Sequence, residues 1–126
     1  MAKFSFEDLE VWQKAVEFAK TAIEIAEGIE NNRKHFRLIE QLEASSTSIA
    51  SNIAEGKGRY SKREFVQFLY IARGSLYETV TLFILFHKNR WVDGNQLDEI
   101  KAAGEEIGKM LSSMITSIKN SKDHEL

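Results

Sequence analysis

The feature that most constrains this chain is something it lacks: there is no proline anywhere in its 126 residues. Proline fixes φ, removes a backbone donor and interrupts helices. Its absence, with only seven glycines, disfavours a loop-rich β-sandwich and permits long unbroken helices. The length suits one domain with a real hydrophobic core. There is no cysteine, which excludes disulfides, thiolate zinc sites and a cysteine nucleophile. Seventeen basic against nineteen acidic side chains give a formal charge of −2, so nucleic-acid binding would need a local patch. Residues Met1 to Glu10 lack the basic-then-apolar pattern of an export signal, and no stretch holds about 18 consecutive apolar residues. A cytoplasmic protein with no membrane partner is the expectation.

Periodicity and capping signals predict four helices, at about 6–27, 33–55, 62–88 and 96–118, with a polar tail at 119–126. In helix one, Leu9, Trp12, Val16, Ala19, Ile23 and Ala26 step by three and four and predict the buried face. Ser5 with Asp8 resembles a capping box, and Gly28 offers a left-handed exit. Helix two carries Phe36, Ile39, Leu42, Ile49 and Ile53, and should end at Gly56. Helix three opens on the capping box of Ser61 and Glu64 and carries one stripe from Phe65 through Phe68, Leu69, Ala72, Leu76 and Val80 to Phe83. A second stripe, Val66, Tyr70, Tyr77 and Leu85 with Ile84 or Phe86, lies off that face. A helix apolar on two sides needs a second burial partner, and another subunit would supply one. Short connections between four amphipathic helices predict an all-α, up-and-down four-helix bundle.

Candidate chemistry is sparse. Di-metal bundles need Glu-x-x-His motifs, yet Asn32, Ile84 and Ser121 stand three residues before His35, His87 and His124. No histidine has an arginine four to six residues before it, and no zincin motif or convergent general base is present. The chain is therefore expected not to be an enzyme, with no cofactor, metal or small-molecule substrate. The run Glu55, Gly56, Lys57, Gly58, Arg59 reads either as an anion cradle or as a helix stop and loop, and it is not a P-loop, because Gly58 follows Lys57. Lys57, Arg59, Lys62, Arg63 and Arg73 stand against Glu64 alone, and Arg33, Lys34 and Arg37 form a second basic cluster. Helix one is the opposite, with Glu7, Asp8, Glu10, Glu17, Glu24, Glu27 and Glu30 against Lys14 and Lys20. The basic loop could contact phosphates, lie solvated, or pair with an acidic neighbouring subunit. Gly74 with Ser75, and the small side chains from Ala44 to Ser51, predict close approach of helices two and three. Near that contact Asn52, Glu55 and Arg73 are expected in hydrogen bonds or ion pairs, and Trp12 as a core or interface anchor.

Ser48, Ile49, Ala50, Ser51, Asn52, Ile53, Ala54, Glu55 and Gly56, followed by Gly58, Arg59 and Ser61, resemble the S-I-x-S-N-I-A-E-G-x-G-R-x-S signature of the 23S rRNA intervening-sequence proteins, also called the S23 family. Flanking matches are Leu9, Val11, Trp12, Lys14 and Ala15, then Glu64, Phe65, Phe68, Leu69, Ala72, Arg73, Gly74, Ser75 and Glu78. The resemblance spans about residues 6 to 118 and implies a four-helix bundle assembled into a homopentameric ring. It also implies association with RNA or the ribosome, since some members are encoded within insertions of 23S rRNA genes. Related accessory proteins of diversity-generating retroelements form similar pentamers, are strongly basic and act with a reverse transcriptase. The chain departs from the family pattern at Glu43 and Ala44, where arginines are common, and at Ala50, where relatives carry proline. Losing those arginines weakens the carry-over of RNA binding.

The resulting expectation is a non-enzymatic homo-oligomer with an interaction or assembly role, the subunit interface drawing on Trp12, Val66, Tyr70, Arg73, Gly74, Tyr77, Asn52 and Glu55. The alternative is an RNA-binding accessory protein using Lys57, Arg59, Lys62, Arg63, Arg33, Lys34 and Arg37.

Overall fold

The computed structural model describes residues 1–30 and 34–121. A 3-10 turn at Ser5–Asp8 leads into α1 (Glu10–Glu27), followed by α2 (Phe36–Lys57), α3 (Lys62–Lys88) and α4 (Gly94–Lys119). The helices pack around a square, α1 on α2, α2 on α3, α3 on α4 and α4 back on α1. The α1–α2 pair and the α3–α4 pair therefore form opposite sides of the bundle. Hydrogen bonds pair Ser45 with Thr79 and Ser48 with Ser75, so residue numbers rise along α2 as they fall along α3. That is the antiparallel relation of an up-and-down bundle. By length and composition α3 could cross a membrane, yet here it is a bundle helix, with 33% of its most apolar 18-residue window buried.

Helix ends follow local chemistry, not always the chemistry predicted. Ser61 Oγ accepts from Glu64 N at 3.0 Å and starts α3 as expected. Ser5 does not cap α1. Instead Glu7 Oε2 accepts from Phe4 N at 2.8 Å, closing a 3-10 turn before α1 begins at Glu10. Asp93 and Gln96 form a reciprocal capping box, which starts α4 two residues earlier than the periodicity suggests. Gly28 and Gly58 stay right-handed at φ −82 and −81, and Gly56 lies inside α2. The single left-handed residue is Arg90 at φ 64, among the described residues. There Trp91 N donates to Phe86 O and Arg90 N to His87 O, both at 2.9 Å, a Schellman ending for α3 with arginine where glycine is usual.

The core runs the length of the bundle, with Phe83, Phe86, Leu42, Ile49, Ile53, Leu69, Leu76 and Leu111 among its fully buried side chains. Each such side chain contributes roughly 1.5–3 kcal/mol relative to exposure. Two predicted faces need correction. On α1 the buried residues are Val11, Ala15, Phe18, Ala19, Ala22 and Ala26; of the predicted face, Ala19 and Ala26 are buried as expected, Leu9, Trp12 and Ile23 are half-buried, and Val16 is 37% exposed. On α3, Val66 and Phe86 belong to the core at 6% and 0% exposure, so neither lies on an outer stripe. The predicted close contact of α2 with α3 is present, but Gly74 does not make it. Nothing lies within 4 Å of a Cβ built at Gly74, while one at Gly56 would stand 2.7 Å from Phe68 Cβ and 2.9 Å from Phe65 Cδ1.

Candidate interaction surfaces

The basic residues do not converge. Lys34 and Arg37 flank the start of α2, and Lys57, Arg59, Lys62 and Arg63 follow its end, so a 22-residue helix of about 33 Å separates them. Arg33 lies outside the described residues. Within the loop, Arg59 pairs with Glu55 at 2.9 Å and its guanidinium lies 4.7 Å from the Phe68 ring centre, so its charge is partly spent on the fold. Lys62 donates to Ser121 Oγ at 2.8 Å, tying α3 to the end of α4. Lys57 and Arg63 are exposed. Arg37 lies over the Phe36 ring at 5.9 Å, beside the stack of His35 on Trp91.

The polar residues of helices two and three have structural partners. Asn52 Nδ2 donates to Ser48 O and to Ser48 Oγ, both at 2.8 Å, while Ser48 Oγ meets Ser75 Oγ at 2.9 Å. The middle of the family signature is thus a hydroxyl and amide seam between α2 and α3, and no buried side-chain N or O among the described residues lacks a partner. Arg73 turns to α4, donating to Ser112 Oγ at 3.1 Å with its guanidinium 5.1 Å from the Tyr70 ring centre. No group of three or more His, Asp or Glu that could hold a metal occurs among the described residues.

Four large apolar side chains of α3 stay outward. Tyr70, Ile71, Tyr77 and Leu85 of α3 are 40%, 51%, 57% and 40% exposed. Tyr70 and Tyr77 stand two helical turns apart and border two concavities on the α3–α4 side. One is a depression of about 310 Å³ where Arg63 and Lys119 flank Tyr70, Lys119 Nζ donating to the phenol at 3.2 Å. The other is a groove of about 570 Å³ beside Tyr77 and Thr81, with Gly104 and Gly108 along one wall and Lys101 and Lys109 at its edge. Sequence reasoning missed this groove. Its signal was present in Gly104 and Gly108, one turn apart inside helix four, where glycine has a cost that calls for a packing reason. On the opposite side of the bundle, Phe4 stacks on Phe6 at 5.5 Å and Phe6 meets Trp12 at 5.1 Å, an aromatic ledge carried by the 3-10 turn, which packs on both α1 and α2. Trp12 is half-buried as an anchor for that ledge.

Comparison with known proteins places this arrangement. A crystal structure of a protein of unknown function from the S23 ribosomal protein family of Bacteroides thetaiotaomicron VPI-5482 superposes with a TM-score of 0.78 at 30% identity, over 83% of this chain and 97% of that one. A search of curated proteins returned no match. The family model of the 23S rRNA-intervening sequence protein matches residues 7–113, from the 3-10 turn into the last third of α4. With the Ser48 to Ser61 signature folded as the α2–α3 seam and its following cap, the chain belongs to the 23S rRNA-intervening sequence protein family.

Proposed function

We propose that this chain is a non-enzymatic, homo-oligomeric bundle that works through assembly and interaction. The observation that carries the reading is the set of outward apolar side chains of α3, Tyr70, Ile71, Tyr77 and Leu85, on a helix whose most apolar window is only one-third buried. Tyrosine offers a large apolar surface with a polar tip and is enriched at protein interfaces. Family resemblance makes a five-membered ring the expected form. Light scattering at micromolar concentration tests this: the expected mass is about five times the 14.4 kDa chain, and a strictly monomeric mass refutes it.

A second reading, RNA contact, is favoured by the exposed Lys57 and Arg63 and by the cations around Tyr70. Repetition around a ring would add weak phosphate contacts through avidity. In that case charge reversal at Arg59, Lys62 and Arg63 lowers RNA retention at about 50 mM salt, where phosphate contacts are strongest. Unchanged retention removes this site from consideration.

A further inference from the structure

We propose that copies of the chain join head to tail, the ledge and outer row of α1 in one copy seating along the α3–α4 groove of the next. This rests on the homo-oligomer reading and adds which surfaces meet. Two apolar surfaces lie on opposite sides of the bundle, and their charges are opposite. The first is built from Phe4, Trp12, Val16 and Ile23, with Glu17, Glu24 and Glu27 exposed on the same helix. Lys14, one of the two lysines of α1, is already bound to Glu106 of α4 at 2.7 Å, which leaves Lys20 against those acids. The second surface is the outward tyrosines and their groove, edged by Lys101 and by Lys109, which pairs with Glu105 of the same wall at 3.0 Å, and continued by Arg63 and Lys119 around Tyr70, so that four cations stand against Glu105. A contact of either surface with itself would set acid on acid or base on base, which costs association. A contact between the two sets opposite charges together.

Spacing supports the same pairing. Val16 and Ile23 are seven residues apart, as are Glu17 and Glu24, and Tyr70 and Tyr77 repeat the same step on α3. A shared seven-residue step keeps two helices in register along a shallow crossing. Each step spans about 10.5 Å, close to the roughly 12 Å between Lys101 and Lys109 along α4. Since one surface differs from the other, the contact is heterologous, and repeating it closes a ring when the rotation allows.

The test uses two full-length variants that alter exposed or half-exposed positions away from the core. V16R/E24K reverses the α1 surface, and Y77E/K101E reverses the groove. Circular dichroism and thermal melting first establish that each is folded. The expected result is that the wild type is multimeric, each variant alone has the 14.4 kDa mass of a single chain, and an equimolar mixture forms even-numbered complexes that alternate the two chains in equal amounts, which the five-membered ring of the wild type cannot do. A variant that keeps the wild-type mass on its own overturns the head-to-tail contact, because a self-matching surface survives in one of the two. A mixture that stays monomeric overturns it as well. A monomeric wild type defeats the homo-oligomer reading itself, and that outcome is read before any variant is made.

Discussion

Gly56→Ala tests the tightest place in the bundle, the crossing of α2 over the start of α3. A methyl group there would meet Phe68 Cβ at 2.7 Å, Phe65 Cδ1 at 2.9 Å and Phe65 O at 3.3 Å. Carbon atoms prefer about 3.5–4.0 Å, and Phe68 Cβ is fixed to the backbone, so relief requires the helices to part. Overpacking of this kind costs roughly 1–3 kcal/mol. Alanine also gains about 1 kcal/mol over glycine in a helix interior, which masks part of that cost. Gly74→Ala supplies the reference, because it carries the same gain with nothing within 4 Å. The difference between the two variants isolates the packing term: G56A should be less stable than G74A by about 1–3 kcal/mol. With unfolding entropy near 2.1 cal/mol/K per residue, 1 kcal/mol is about 4 °C for this chain, so a gap of about 4–12 °C is expected. Urea and thermal unfolding across a tenfold dilution measure it, since an assembly contribution changes with concentration and a packing contribution does not. Equal stabilities for G56A and G74A, within about 0.5 kcal/mol, would refute the close crossing.

Other substitutions probe other parts of the fold. Thr79→Val removes one partner of the buried Ser45–Thr79 hydroxyl pair at 2.8 Å and should cost about 1 kcal/mol in urea unfolding, while S45A/T79V should cost less than the two single changes added together. Arg90→Gly should stabilise by about 1 kcal/mol, because glycine enters the left-handed region freely at φ 64, and a loss of stability would show that the arginine side chain contributes more than its backbone costs. Lys14 is held above its ordinary 10.5, first by the hydrogen bond to Glu106 and then by its charge. The associated stability is complete below about 10.5 and is lost as pH rises through the higher folded value, so Glu106→Gln should reduce the fall in Tm across that alkaline range. An identical fall in both proteins would remove the pair as its cause.

Much of the bundle was legible from local chemistry. Ser61 capping, the Asp93 turn and the three-and-four spacing are short-range signals, and each acts within one or two turns of chain. The errors arose where a local pattern admitted two solutions. On helix one, Val16 and Ile23 match helical periodicity as well as Val11, Ala15 and Phe18 do, and only the neighbouring helices choose between the rows. Val66 read as outward because it lies off the stripe drawn through Phe65 and Phe68, but it stands three residues before Leu69 and shares the buried face of Ala72, Leu76 and Thr79, while Phe65 and Phe68 are half-buried. Gly74 lies in the middle of α3 and Gly56 one residue from the end of α2, and the sequence does not say which of them has a close neighbour.

The candidate surfaces divide in the same way. The acidic bias of helix one, the basic residues before helix three and the surplus of apolar residues on that helix are properties of composition and spacing, available before any fold is known. Tertiary structure decided how they are arranged. It set the two basic clusters at opposite ends of α2, engaged Arg59 and Lys62 with Glu55 and Ser121, and opened a groove beside Tyr77 that no single helix contains. The physical reason is range: caps and periodicity are settled within a helix, whereas a groove or a charged face exists only once separate helices have been brought side by side.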